Sequence, residues 1–167
     1  MIDIEDKIRE IQRLCKVQRD CCGYDKLGLD RRECENKATD MVAELWGFTP
    51  DMVLVESAWH RYRFDNIEKI SVGESLEHID IEVSRSPNGL YSAHTSWFFS
   101  ISGHSALPCI WERTQYESRK EAITTECEWL VKSERIQSDK IGARLVQKMV
   151  DKVAEMFPVY EQMELEL

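Results

Sequence analysis

The spacing of apolar residues changes after about residue 70 of this 167-residue chain. Before that it runs in steps of three and four, then in steps of two toward residue 101, and from Ser118 in steps of three and four again. A period near 3.6 buries one face of a helix, and a period of two buries one face of a strand. Helices on either side of a sheet in the sequence are what such a chain can fold into.

Ile4, Ile8, Ile11 and Cys15 form the apolar face of a first helix that stops near Asp20, with Gly23 and Gly28 punctuating the connector. Asp30 is placed to cap a second helix, striped by Cys34, Ala38, Met41, Val42, Leu45 and Trp46 and ended by Gly47. Thr49-Pro50-Asp51 restarts a helix with a side-chain cap, a proline in the first turn and an acid near the positive end of the dipole. Met52, Val55, Trp59 and Tyr62 then predict a helix over residues 52–64.

Further on, Ile79, Ile81 and Val83 alternate with Asp80, Glu82 and Ser84, a strand pattern. Pro87-Asn88-Gly89 is a turn, and a second strand rich in aromatics and hydroxyls follows over residues 90–101. A loop over 103–108 leads to an expected third strand over 109–114. Ser118 caps a helix containing Ala122, Ile123, Cys127, Trp129, Leu130 and Val131. A last helix over 138–157 carries Ile141, Leu145, Val146, Met149, Val150 and Val153, and Pro158 closes it.

Composition sets the class. With 43% hydrophobic and 32% charged residues the chain is globular rather than disordered. No apolar run reaches the roughly 18 residues a membrane span needs. The opening Met1-Ile2-Asp3-Ile4-Glu5-Asp6 lacks a basic stretch followed by an apolar one, so a cytoplasmic protein is expected. Cys15, Cys21, Cys22, Cys34, Cys109 and Cys127 are accordingly read as thiols. The spacing of the first four, including two adjacent cysteines, does not match the paired ligands of a structural zinc site, and no metal or cofactor is expected. Thirty-one acids against 22 bases give a net charge of −9 and a pI near 5.0. The excess is spread along the chain, with only short basic clusters, which favours a merely soluble surface or a basic protein partner over nucleic acid phosphates.

Ala43, Gly47, Phe48, Thr49 and Val53 stand at the small, turn, hydrophobic, cap and aliphatic positions of a steep helix–helix corner. The segment of about twenty residues, 39–58, resembles the helix-turn-helix of repressors and ParB-type partition proteins. The resemblance implies a recognition helix after Thr49 whose first turns meet base edges. Arg, Lys, Asn or Gln belong there, but Thr49, Pro50, Asp51, Leu54, Val55 and Glu56 occupy the place. The scaffold fits and the reading residues do not. His60-Arg61-Tyr62-Arg63-Phe64 mixes bases with aromatics as phosphate-contacting surfaces do. The strands with the helix after Ser118 resemble βββα units of antitoxin-like and double-stranded-RNA-binding folds. Glu117, Glu121, Glu126 and Glu128 stand where the RNA-binding family has its lysines, so RNA binding is not carried over.

Signals for catalysis are few. His104 and Cys109 share a loop, a Cys–His pair without a third orienting group, and Glu56 and His60 lie one helical turn apart. No enzyme is expected. The expected fold is α+β, a helical, helix-turn-helix-like part over 1–70 followed over 71–167 by a three-stranded antiparallel sheet with two C-terminal helices. The expected function is regulatory or inhibitory binding of a protein partner, in character like small acidic anti-CRISPR or DNA-mimic proteins of phages and mobile elements. Such a partner would be a basic nucleic-acid-processing enzyme. Thr49, Asp51, Leu54, Val55, His60, Arg61 and Arg63 are the expected contact residues. The alternative is a DNA-binding regulator that is dimeric through the last helix.

Overall fold

The computed structural model of the chain describes residues 31–54, 61–100, 102–112 and 114–158. The helix expected between residues 4 and 20, with Cys15, Cys21 and Cys22, lies outside the described residues, as do Val55 and His60.

Four strands, β1 (Glu68–Glu74), β2 (Glu77–Arg85), β3 (Tyr91–Phe99) and β4 (Ser102–His104), form one antiparallel sheet in sequence order. Register places Val72 opposite Ile79 and Ile79 opposite Trp97, and Ile70 opposite Ile81. Paired residues share a face, so these apolar side chains make one continuous surface. Onto it pack α2 (Arg119–Lys132), the short α3 (Glu134–Gln137) and α4 (Lys140–Met156). Ile123, Leu130, Ile136, Leu145 and Met149 are inaccessible to solvent or nearly so. Each such side chain contributes about 1.5–3 kcal/mol by leaving water. Ser118 caps α2 by accepting from the Glu121 amide, and Asp139 caps α4 by accepting from Ile141 and Gly142.

A second, smaller core belongs to α1 (Arg31–Leu45). Val42, Ala43 and Trp46 meet Phe48, Tyr62, Phe64 and Ile110, with Phe64 edge-on to Trp46 at 5.2 Å between ring centroids. The Pro87-Asn88-Gly89 turn clamps the end of α1. Asn88 donates from its backbone to the Trp46 carbonyl and from its side-chain amide to the Leu45 carbonyl, which also accepts from Gln115 at 2.7 Å. Carbonyls left over at the helix end are thereby satisfied from the sheet.

Four expectations are corrected. The sheet has four strands among the described residues, and β1, with only Ile70 and Val72 as apolar signal, is not among the expected ones. Its start at Glu68 also takes into the sheet residues assigned above to the helical part. The third strand expected over 109–114 is a turn, closed by the Glu112 amide on the Cys109 carbonyl. Ile110 points into the α1 core, and its carbonyl accepts from the Trp46 indole at 2.8 Å. The helix expected over 52–64 is reduced, in its described part, to a single 3-10 turn at Pro50–Met52. Val53 is extended at φ −66° and ψ 119°, and the Leu54 amide donates to the carbonyl of Arg61. Tyr62 and Phe64 are buried with Arg63 exposed between them, so the local period is two. Finally, the two C-terminal helices are three, since Ser133 interrupts the chain before α3.

The polar side of β2 is not a solvent face. Asp80 and Glu82 are only 2% and 6% exposed, and Lys69 reaches both, at 2.6 and 3.7 Å. Buried carboxylates need such partners. The bond to Asp80 raises the Lys69 pKa against the opposing effect of its own burial.

Candidate functional site

Two concave regions collect the side chains able to do chemistry or binding. The first lies where the α1 core meets the β2–β3 turn. It is a cleft of about 670 Å³ with Phe48 and Phe64 as aromatic floor, and Met52, Leu54, Arg63, Asp65 and Arg85 at its walls. Met52 and Leu54 are 41% and 59% exposed, a high cost for large apolar side chains unless something covers them. Arg85 is aimed by a hydrogen bond from its Nε to the Gly89 carbonyl.

Of the seven contact residues expected from sequence, Leu54 and Arg63 share this cleft. Thr49 and Asp51 stand beside it in the 3-10 turn, exposed, with the Thr49 hydroxyl donating to the Asp51 carboxylate. That bond holds the Asp51 carboxyl below its ordinary pKa. Thr49 makes no capping bond to the backbone, so its expected role as helix cap is not fulfilled. Arg61 is turned away: its Nε lies 2.6 Å from Asp40 on α1, and Tyr62 donates to the same carboxylate at 2.8 Å. Arg61 therefore ties the segment to α1. Val55 and His60 lie outside the described residues. Met52, expected only as part of a helix face, and Arg85 are not among the expected contact residues; only the fold brings position 85 next to position 54.

The second region is a cavity of about 550 Å³ along the outer edge of β3, where β4 stops. His94, Thr95, Trp97, His104, Tyr116, Glu126, Trp129 and Arg135 line it. His94 Nδ1 is 3.0 Å from Glu112 Oε1, and its Nε2 is 3.1 Å from Nε2 of His104. The Glu112 bond raises the His94 pKa above the ordinary imidazole value, opposed by partial burial. On the other wall the Glu126 carboxylate accepts from Thr95 at 2.7 Å and from Tyr116 at 3.4 Å. Burial first, and then Glu126, push the Tyr116 phenol up to about 12. The Arg135 guanidinium sits over the Trp97 ring at 5.1 Å.

The loop pair suggested by the sequence is thus resolved into a longer chain. His104 meets His94, while the Cys109 thiol meets Glu112 at 4.0 Å. Burial raises the Cys109 pKa, which disfavours the nucleophilic thiolate. Among the described residues no group of three or more His, Cys, Asp or Glu is arranged to hold a metal ion, and no helix is long and apolar enough to cross a membrane.

Comparison with known protein families, with curated proteins and with solved structures finds no match to this chain.

Proposed function

We propose that this is a non-catalytic binding protein that docks a protein partner in the cleft between Leu54 and Arg85. The observation that carries this reading is the pairing of exposed Met52 and Leu54 with Arg63 and Arg85 over an aromatic floor. Apolar anchors ringed by arginines are the make-up of protein interfaces. The cleft suits a partner segment presenting an apolar side chain next to a carboxylate. The net charge of −9 acts at longer range and favours a partner that is basic overall, such as a nucleic-acid-processing enzyme. An anti-defence inhibitor of the phage or mobile-element type has this character. The burial of Cys109, which disfavours its thiolate, supports the non-catalytic part of the reading.

A second reading, direct binding of nucleic acid, is favoured by one feature of α4. Lys140, Arg144, Lys148 and Lys152 recur at four-residue steps and are all exposed. Such a row follows one side of the helix and could follow a phosphate backbone. It is partly engaged already, Arg144 with Glu77 and Lys152 with the Ser71 carbonyl.

The readings are separated by two measurements. The wild-type chain, Leu54→Asp and Arg63→Glu are used as baits, and any captured protein is purified and rebound. Rebinding to the wild type and loss in both variants supports the docking cleft; equal binding by all three removes it. Titration against a mixed-sequence duplex at low and near-physiological salt tests the alternative. Binding that persists at the higher salt and is lost in Lys140→Glu, Lys148→Glu replaces the first reading with the second.

A further inference from the structure

The two histidines at the β3 edge are arranged as metal ligands are, and not merely as neighbours. His94 is three-quarters enclosed, its side chain 21% exposed, and is held through Nδ1 by Glu112. With the Nδ1 proton given to that carboxylate, the lone pair on Nε2 points out toward His104. Nε2 of His104 faces it at 3.1 Å, with the rings inclined at 46°. A tetrahedral ion with bonds of about 2.0–2.1 Å sets its nitrogen ligands roughly 3.3 Å apart, close to this separation. A carboxylate on the far nitrogen of a ligating histidine is the usual outer support of such a site, fixing both tautomer and ring orientation. The contact is made past the end of the β3–β4 ladder, whose last pair is Trp97 with His104, so the two rings meet at the open edge of β3.

We propose that His94 and His104 bind one divalent transition-metal ion, of which Zn²⁺ is the best match to two imidazoles, with Glu112 orienting His94. Two coordination positions remain for water or for a donor atom of a ligand seated in the adjoining cavity, since no third protein ligand is grouped with the pair among the described residues. Two imidazoles hold an ion less tightly than the three or four ligands of structural sites. The proposal is independent of the docking cleft, which lies on other residues.

The test uses the full chain, reduced and metal-free, titrated with Zn²⁺ while the imidazole C2–H resonances are followed by NMR. The chain has four histidines, so each resonance is assignable by single substitution. One equivalent of Zn²⁺ is expected to shift the His94 and His104 resonances together. His104→Gln should abolish the shift of His94, and His94→Gln that of His104, with at least a tenfold loss of affinity in each. Glu112→Gln should weaken binding less, and His78→Gln should leave it unchanged. His104 is exposed, so its substitution leaves the core intact. Cysteine binding is separated by repeating the titration with Cys15, Cys21, Cys22 and Cys34 replaced by Ser. Zn²⁺ that moves neither resonance, that moves the two independently, or that is taken up only when those cysteines are present overturns the proposal.

Discussion

Arg119 and Glu68 show how a single residue pair joins distant parts of this chain. The guanidinium Nε lies 2.6 Å from the Glu68 carboxylate and fastens the first turn of α2 to the start of β1. The bond to Arg119 lowers the Glu68 pKa. A carboxyl with a depressed folded-state pKa stabilises the fold above its unfolded value, and that contribution disappears as pH falls through the folded value. Both side chains are more than a third exposed, so the pair contributes no more than about 1 kcal/mol. Glu68→Gln should therefore lower the urea midpoint slightly at neutral pH, and the difference from wild type should vanish in acid. A difference that persists at low pH would mean that the substitution acts through packing. The partnership was not legible beforehand, because nothing local to Glu68 marks a partner 51 positions away. The row of bases on α4, by contrast, is legible in the sequence at four-residue spacing. The exposure of Trp129 and Val131 is not. Both are apolar and helical, but they are 49% and 48% exposed because α2 offers the sheet only the face of Ala122, Ile123, Cys127 and Leu130.

At the scale of elements, two contacts decide how closely helices and strands approach. Gly73 in β1 has φ +91°, and a Cβ there would lie 2.0 Å from the Glu77 carbonyl and 2.9 Å from the Leu145 side chain. Gly73→Ala should destabilise the protein by at least about 2 kcal/mol, because a left-handed conformation is imposed on a residue with no space to relax. Its denaturation midpoint is the measurement, and an unchanged midpoint would rule out this account of the β1–β2 hairpin. Trp46 sets the other contact. Its indole N–H donates to the Ile110 carbonyl, which is why residues 109–112 turn inward and do not extend the sheet. Trp46→Phe keeps an aromatic side chain but orphans that carbonyl and leaves a void in place of the larger indole, so the cost exceeds the roughly 1–3 kcal/mol of the lost partner alone. Calorimetry should show the loss. Strand and helix types were readable wherever one face alone carried the apolar residues, as in β2 and α4. The structure departs from the expected types at the described residues 52–54, 61–64 and 109–112. There apolar side chains serve the α1 core from irregular backbone, and a mixed pattern fits a helix, a strand or a loop equally well.

For the whole molecule, the bonds that cross between the two cores among the described residues include those of Asn88 and Gln115 to the end of α1. Replacing Asn88 and Gln115 together by Ala should speed amide exchange in α1 while the amides of β2 and β3 keep their protection. Uniform loss of protection would show that the two cores unfold as one unit. The docking cleft lies at this same junction, so its shape depends on the clamp that Asn88 provides. From the sequence alone follow the α+β composition, the β2 and β3 strands with their turn, the α2 helix with its Ser118 cap, the α4 helix, and a chain whose net charge is strongly negative. These are local or additive properties: a period of apolar residues, a turn dipeptide, a cap, a sum of charges. Only the tertiary structure decided that Asp80 and Glu82 are buried with Lys69, that Arg61 is held by Asp40, and that Arg85 joins Leu54 and Arg63 in one cleft. It likewise set His94 against His104. Each of these depends on which residues the chain brings together from far apart, and the close approach of side chains distant in sequence leaves no periodic trace along it.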